Sequence, residues 1–341
     1  MISLERDGLV FRFPGVHEDA VCRVAFQRTL RIPDDNREYP LPAGLGRFPL
    51  KHVEDHAPLL PAGWAEHGGV LLPMYQAEAL WINFSSGNGF GGQEGYPFAV
   101  KVAAGKINAI TGKAWSNALS EESQEHLVIP DQPWLDGFCV QKDLVRQFVA
   151  MPLGLGYTAE EQLSGAAEHG GIQIIVYPMK RERYEALLKE REKFQRLMRE
   201  GRVACSMRRM SSDEMGLAPG GLIRQQIYPD RYGVDAWDTD TSSRCFVHIL
   251  NSAQWEAATG TMAPGRAPTA ADYTIAGLPW FECYDDSIVA VAGSPELAGL
   301  DSVAAKGVKV GETPLPKNEA ISQLNIISLK PNSAKVSDGS W

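Results

Sequence analysis

The sequence contains no unbroken apolar run of the about eighteen residues that a membrane-spanning helix requires. Its opening stretch, MISLERDGLVFRFPG, is interrupted by Glu5, Arg6 and Asp7, so we predict no export signal. Positive charge is also scarce, because 33 Lys and Arg stand against 42 Asp and Glu in 341 residues. General nucleic-acid binding needs a surplus of cations on one face and is therefore not expected.

Cysteine is scarce, and its spacing is irregular. The chain has five cysteines, an odd number, without any Cys-x-x-Cys pair: Cys22, Cys139, Cys205, Cys245 and Cys283. Structural zinc sites and disulfide frameworks are typically marked by closer and more regular spacing. We therefore expect buried, reduced thiols in a cytoplasmic protein, and we assign no metal and no cofactor.

The short motifs of common catalytic sites are missing as well. There is no Gly-x-Ser-x-Gly, no His-Glu-x-x-His, no Walker loop and no Rossmann fingerprint in a strand-helix-strand setting. The Gly-rich segment SSGNGFGGQEG precedes a strand pattern rather than a helix. A helix N-terminus that could bind phosphate is therefore not predicted there, and a simple connection is favoured.

Most of the periodic segments have the two-residue period of strands. Asp7-Gly8 separates two short runs, which predicts a hairpin. From Val24 to Ile32 apolar and polar residues alternate, except that Arg28 falls on the apolar side. That exception indicates either the end of a strand or a contact between the guanidinium and a carboxylate.

Helix signals are fewer. The segment KRERYEALLKEREKFQRLMREG predicts one long amphipathic helix with a charged outer face. Short helices are predicted by their capping residues, and these are Thr158 with Glu161, Asn251 or Ser252 before 253–259, Thr269 with Asp272 before 270–276, and Ser294 before Pro295-Glu296.

These patterns predict a β-rich α+β fold. Antiparallel hairpins are expected to form a sandwich or irregular barrel, with one long amphipathic helix and a few short helices attached. We expect residues 1–312 to form a single compact unit, with a possible minor boundary near 201–218. Residues 313–341 are polar enough to predict a loosely held C-terminal tail.

A Leu-aliphatic-Arg-Gln quartet occurs twice, at 144–147 and at 222–225. One interpretation is a pair of neighbouring strands whose Arg146 and Arg224 point into one cleft and hold an anion. The alternative is a coincidence, in which Arg146 buries its stem at the edge of the core.

Other candidate ligand-binding residues lie in loops. Aromatic rings beside carboxylates suit sugars or flat ligands, which directs attention to Trp134, Asp235, Trp237, Asp238 and Asp240. The Asp238-Thr-Asp240-Thr-Ser segment has part of the spacing of a calcium loop. It lacks the required Gly and Glu, so an Asx-rich turn is favoured over a metal site.

The histidines are harder to place. Cys245 and His248 are three residues apart, which puts them on opposite faces of a strand. His169 could meet Cys139 or Ser164 in space, although the sequence does not fix such a contact. His52, His56 and His67 lie in an irregular region, where their spacing predicts no metal site.

Long parts of the chain resemble a family of uncharacterised proteins from bacteria and fungi. The resemblance is carried by VIPDQPWLDGFCVQKDLVRQFVAMPLGLGYTAEEQLSGAAEHGGIQIIVYPMK, MGLAPGGLIRQQIYPDRYGVDAWD and AGLPWFECYDD, and it covers about Val24 to Val303. It implies one shared architecture and assigns no activity, cofactor or catalytic residue.

Three functional hypotheses follow. The first is a soluble, non-catalytic protein that binds a small ligand or assembles with itself. The second is a cytoplasmic hydrolase or related enzyme that acts on a small or sugar-like substrate with the loop carboxylates and the two arginines. The third is a basic patch for an acidic partner, formed by the long helix and the segment RVACSMRRM that follows it.

Overall fold

Alternating sequence patterns place much of this chain in strands. A computed structural model describes residues 1–87, 95–200, 217–283, 289–319, 321, 323 and 325–329. The strands are β1 Ile2–Leu4, β2 Gly8–Arg12, β3 Val21–Thr29, β4 Glu38–Tyr39, β5 Leu41–Pro42, β6 Gly44–Arg47, β7 Lys51–His52, β8 Val70–Met74, β9 Ala79–Ser86, β10 Phe98–Ala104, β11 Ile107–Asn108, β12 Leu127–Ile129, β13 Trp134–Leu135, β14 Gly137–Gln141, β15 Leu144–Val149, β16 Ile172–Pro178, β17 Ala218–Arg224, β18 Ser243–Asn251, β19 Trp280–Cys283 and β20 Ile326–Leu329.

The helices lie between and after these strands. They are α1 Ala62–His67, α2 Ala159–Ser164, α3 Arg181–Glu200, α4 Ser252–Thr259, α5 Ala270–Ile275, α6 Pro295–Ala298 and α7 Val303–Val310, with short 3-10 turns at Glu54–Leu59 and Val234–Ala236. The β-rich α+β class is confirmed. Within the described ranges, no helix is both long and apolar enough to cross a membrane.

Two large sheets share one hydrophobic core. The first has the order β1-β2-β3-β9-β15-β17-β4, with β6, β13 and β14 attached to β3, β9 and β15. The second has the order β11-β10-β16-β18-β8-β7, with β12 attached to β10. A third, small sheet has the order β20-β19-β5. Phe26 and Ile82 of the first sheet belong to the same buried cluster as Val100, Ile174 and Val247 of the second.

Several local predictions are confirmed. Asp7-Gly8 lies in the turn of the β1/β2 hairpin, and Arg28 donates from Nε to Glu78 Oε1 at 2.7 Å. Thr158, Asn251 and Thr269 each form a capping box at the start of α2, α4 and α5, and Ser294 caps α6. The hairpin and the helix caps are formed by residues close together in the sequence. Arg28 stood out as the one charged residue on the apolar side of an alternating strand.

Parts of the predicted tail contact the body. Arg31 Nη2 donates to the Pro316 carbonyl at 2.8 Å, and the Asn318 side-chain oxygen accepts from the backbone N–H of Asp34 at 2.9 Å. β20 runs parallel to β19. Residues 330–341 lie outside the described residues, as does 201–216, which contains most of the predicted boundary and all of RVACSMRRM.

Candidate ligand-binding site

A pentapeptide, Ala-Glu-His-Gly-Gly, occurs twice in this chain, at 65–69 and at 167–171. Each copy leads directly into a strand of the second sheet, at Val70 of β8 and at Ile172 of β16. Both strands pair with β18, and both Val70 and Ile172 lie opposite Val247. The fold therefore brings the two copies to either side of a single residue.

The glycines of this motif are required by the close approach of β18. Gly69 has φ +101°, and a Cβ atom there would lie 2.0 Å from the Phe246 carbonyl oxygen. Gly171 has φ +57°, and its Cβ would lie 2.4 Å from the Val247 carbonyl oxygen. Both positions favour glycine for its backbone freedom and for its lack of a side chain.

A small cavity of about 80 Å³ opens between the two copies, on the face of β18 that points away from the main core. It is lined by Gly63, Trp64, His67, Glu168, His169, Phe246 and His248. Each copy of the pentapeptide thus contributes its histidine, and the second copy contributes its glutamate as well.

Stacked rings form part of the wall. The His248 imidazole lies 4.4 Å from the Trp64 ring at an interplanar angle of 24°, and 4.3 Å from the Phe246 ring at 12°. His67 lies farther from Phe246, at 5.9 Å, with nearly parallel planes. Because His248 is held between two aromatic faces, its ring orientation is fixed by packing as well as by hydrogen bonding.

Burial and one hydrogen bond decide the protonation state and the tautomer of His248. Its Nε2 lies 3.0 Å from the Gly68 carbonyl oxygen, so Nε2 carries the hydrogen and donates it. Burial lowers the pKa of His248 to about 4, which keeps the ring neutral near pH 7. In this tautomer Nδ1 is an acceptor. It is buried and has no hydrogen-bond partner in the described part of the chain.

Glu160 of α2 positions the loop that carries Glu168 and His169. Its carboxylate accepts three consecutive backbone N–H groups, those of Glu168 at 3.1 Å, His169 at 2.9 Å and Gly170 at 2.8 Å. Glu160 is itself buried, whereas the side chain of Glu168 is 71% exposed and lies 4.0 Å from His169 Nε2. The rim of the cavity is therefore acidic and open to solvent.

The two predicted arginines lie on paired strands. β15 and β17 are antiparallel, with Leu144 opposite Arg224 and Arg146 opposite Leu222, so the repeated quartets face each other. Arg146 Nη1 donates to the Gly220 carbonyl at 3.2 Å and lies 3.8 Å from Asp34. Arg224 contacts Glu282 at 2.7 Å. Each guanidinium thus has its own carboxylate.

The predicted loop residues are placed elsewhere. Asp238 accepts from the backbone N–H of Asp240 and of Thr241, which is the Asx turn that the sequence favoured. Trp237 is buried, and Trp134 packs edge-on against Trp81. The cavity lining as described includes none of the seven predicted residues, which are Trp134, Arg146, Arg224, Asp235, Trp237, Asp238 and Asp240.

The sequence motifs did not predict that His248 and His169 line a ligand site. Cys245 and His248 do lie on opposite faces, since Cys245 packs in the main core. His169 lines the cavity, whereas Ser164 donates to the Glu160 carbonyl. The sequence feature that indicated this site was the identical pentapeptide at 65–69 and 167–171.

Within the described residues, no group of three His, Cys, Asp or Glu side chains could hold a metal ion.

A second polar cluster was also missed. The Asp230 carboxylate contacts His126 Nε2 at 2.9 Å and accepts from the Trp237 indole at 2.9 Å. Burial raises the pKa of Asp230, but these hydrogen bonds outweigh it and hold the pKa below its usual value. Both side chains of the pair are almost fully enclosed, so this cluster joins the 124–126 segment to the 230–237 loop.

Comparison with known proteins adds no relative to this description. No family model matches the chain, and no curated protein or solved structure matches it either.

Proposed function

We propose that this protein binds a small ligand by one end group, which enters the cavity between the two Ala-Glu-His-Gly-Gly copies. The observation that carries the proposal is the convergence of the two copies on one cavity, to which they contribute His67, Glu168 and His169. The stacked rings of Trp64, His248 and Phe246 complete its wall.

The size of the cavity limits what enters. Sites that enclose a drug-sized molecule measure about 300–1,000 Å³. The present cavity of about 80 Å³ is much smaller, so it takes one flat group while the remainder of the ligand stays outside. The exposed rim at Glu168 and His67 supports contact with that remainder.

A substitution at Gly63 tests this proposal. Gly63 lies in α1, lines the cavity, and has no atom within 4 Å of an added Cβ. Gly63→Leu therefore places a side chain in open space and removes a glycine from a helix, which favours stability by up to about 1 kcal/mol. We expect the variant to fold at least as well as the parent and to lose binding.

Binding is measured by ligand-observed NMR with a panel of small cations, carboxylic acids, sugars and heteroaromatic amines. Gly15→Leu is the matched control, because Gly15 is also exposed with open space around it and lies outside the cavity lining. Binding of a panel compound that is abolished by Gly63→Leu and kept by Gly15→Leu supports the proposal. Failure of every compound to bind the parent protein overturns it.

We further propose that the protein is cytoplasmic and that it self-associates. Among the described cysteines, Cys22, Cys139 and Cys245 are buried free thiols, which is the state favoured in a reducing compartment. Thiol trapping in intact cells followed by mass spectrometry tests the location. Light scattering tests self-association, and a monomer mass across a wide concentration range contradicts it.

A further inference from the structure

We infer that the end group entering the cavity is a planar nitrogen cation of the guanidinium or amidinium type. The inference rests on the ligand-binding function proposed above and adds its chemical class. It follows from three properties of the lining residues: their hydrogen-bond polarity, their aromatic faces and their charge.

The polar groups whose roles are fixed by the structure offer a ligand no hydrogen-bond donor. His248 uses its one N–H on the Gly68 carbonyl, and its Nδ1 acceptor is buried. The Glu168 carboxylate, which lies on the rim, also only accepts when ionised. A complementary ligand group presents several N–H donors, and a carboxylate or phosphate presents none.

The apolar part of the lining favours a flat group. Trp64 and Phe246 both line the cavity, and their rings lie within 24° and 12° of the plane of His248. A guanidinium is planar, is more weakly hydrated than an ammonium ion and stacks on aromatic rings.

The fixed charge around the cavity is negative. Glu168 is the only Asp, Glu, Lys or Arg side chain among the described lining residues. A second carboxylate lies beside the first pentapeptide, because a Cβ on Gly68 would be 3.2 Å from Glu54 Oε1. Arg244 lies on the same face of β18 but does not line the cavity. This arrangement attracts a cation and opposes an anion.

To test the guanidinium inference, the folded full-length chain is titrated with four small probes. Binding is measured by isothermal titration calorimetry and by NMR of the histidine ring protons. The probes are methylguanidinium, methylurea, tetramethylammonium and acetate. Methylurea has the same planar shape without the charge, and tetramethylammonium has the charge without N–H donors. We expect methylguanidinium to bind at least about tenfold more tightly than the other three, since hydrogen bonds to charged groups are the stronger class.

The repeated pentapeptide provides a matched pair of variants. Glu168→Gln removes the lining carboxylate, whereas Glu66→Gln changes the equivalent residue of the other copy, which is exposed and outside the described lining. We expect Glu168→Gln to weaken methylguanidinium binding about five- to tenfold and Glu66→Gln to change it less than about twofold. Both residues are exposed, so both variants are expected to fold.

Two natural sources share this chemistry, and further probes separate them. Agmatine represents a free guanidino compound, and N-acetyl-arginine amide represents an arginine side chain within a peptide. Tighter binding of agmatine indicates a metabolite, while tighter binding of the arginine amide indicates a peptide.

The outcomes distinguish failure of the guanidinium inference from failure of the proposed ligand-binding function. Stronger binding of methylurea, tetramethylammonium or acetate, abolished by Gly63→Leu, overturns the guanidinium inference and leaves the ligand-binding function standing. An equal effect of Glu66→Gln and Glu168→Gln also overturns the inference. Absence of binding by all four probes and by the wider panel overturns both.

Discussion

Glu160 accepts a hydrogen bond from the backbone N–H of Gly170 at 2.8 Å, and this contact fixes the second histidine-glycine-glycine turn against α2. The same carboxylate accepts from His169 and Glu168, so one buried residue organises three donors. Glu160→Gln replaces one acceptor oxygen with an amide that faces N–H groups. We expect it to lower the free energy of unfolding by about 1–3 kcal/mol.

Hydrogen exchange distinguishes this role from a general loss of stability. The amides of residues 168–170 should lose protection in Glu160→Gln before the amides of β16 do, because their acceptor has been removed. Glu121→Gln, at an exposed position, serves as the control. Equal loss of protection throughout the sheet would show that Glu160 acts only on global stability.

His248 gives the protein a pH-dependent stability. Its pKa falls from 6.5 to about 4 on folding, because burial disfavours the charged ring. The unfolded chain therefore takes up the proton first as the pH falls. Stability from this group is fully present above pH 6.5 and is lost between pH 6.5 and about 4, by up to about 3 kcal/mol at 1.36 kcal/mol per pKa unit.

Urea unfolding of the parent and of His248→Gln between pH 4 and 7.5 measures this effect. Gln keeps an N–H donor for the Gly68 carbonyl but does not titrate, so the difference between the two proteins should shrink as the pH falls. His52→Gln, at an exposed histidine, is the matched control for loss of an imidazole. A constant difference across the range would refute a neutral, buried His248.

The contribution of Asp136 to stability should fall, and not rise, as the pH increases. Burial raises its pKa to about 8, and hydrogen bonds from Gln225 and Trp134 offset only part of that change. The folded protein keeps the proton that the unfolded chain releases above pH 3.8. Stability from Asp136 is therefore present at low pH and is lost as the pH rises towards about 8, by up to about 1.4 kcal/mol per pH unit.

Asp136→Asn keeps the shape of the side chain and stays neutral, so the variant should become more stable than the parent as the pH rises to 8 and above. The measurement is the urea midpoint between pH 4 and 9. Asp235→Asn, at an exposed carboxylate, is the matched control for the Asp-to-Asn change. A parent midpoint that rises with pH at the same rate as that of Asp136→Asn contradicts the prediction.

The elements that the sequence predicted well depend on local rules. Asn251 and Thr269 cap α4 and α5 because a side-chain oxygen only has to reach an N–H three residues away. The repeated Leu-aliphatic-Arg-Gln quartets do lie on paired strands, in an antiparallel register centred on Val145 and Ile223. The order of apolar and polar residues within each strand does not show that Arg146 and Arg224 contact different carboxylates.

The cavity depends on contacts that no local pattern encodes. The two pentapeptides begin at Ala65 and Ala167, which are far apart in the sequence. They meet because β8 and β16 both pair with β18, and pairing between distant strands is decided by the whole sheet. An exact repeat of five residues was the one signal in the sequence that indicated a shared location.

Arg28 and Glu78 form a largely buried ion pair that spans β3 and the start of β9. Their charged atoms approach to 2.6 Å, and the two side chains are 13% and 1% exposed. Burial raises the pKa of Glu78, and the nearby Arg28 guanidinium opposes that rise. Removing Arg28 alone leaves a buried carboxylate without its cation, which typically costs about 3–5 kcal/mol.

A double-mutant cycle separates the pair from its surroundings. Arg28→Leu should destabilise the protein strongly, whereas Arg28→Leu combined with Glu78→Leu should be less destabilised than the sum of the single changes, because no unpaired charge remains. The exposed pair Arg181–Glu185 is the control, and its coupling should be about 0.3–0.5 kcal/mol. Additive losses at Arg28 and Glu78 in urea unfolding would mean that hydrogen bonds to the Gly265 and Arg266 carbonyls, rather than the ion pair, explain why Arg28 lies on the apolar side of β3.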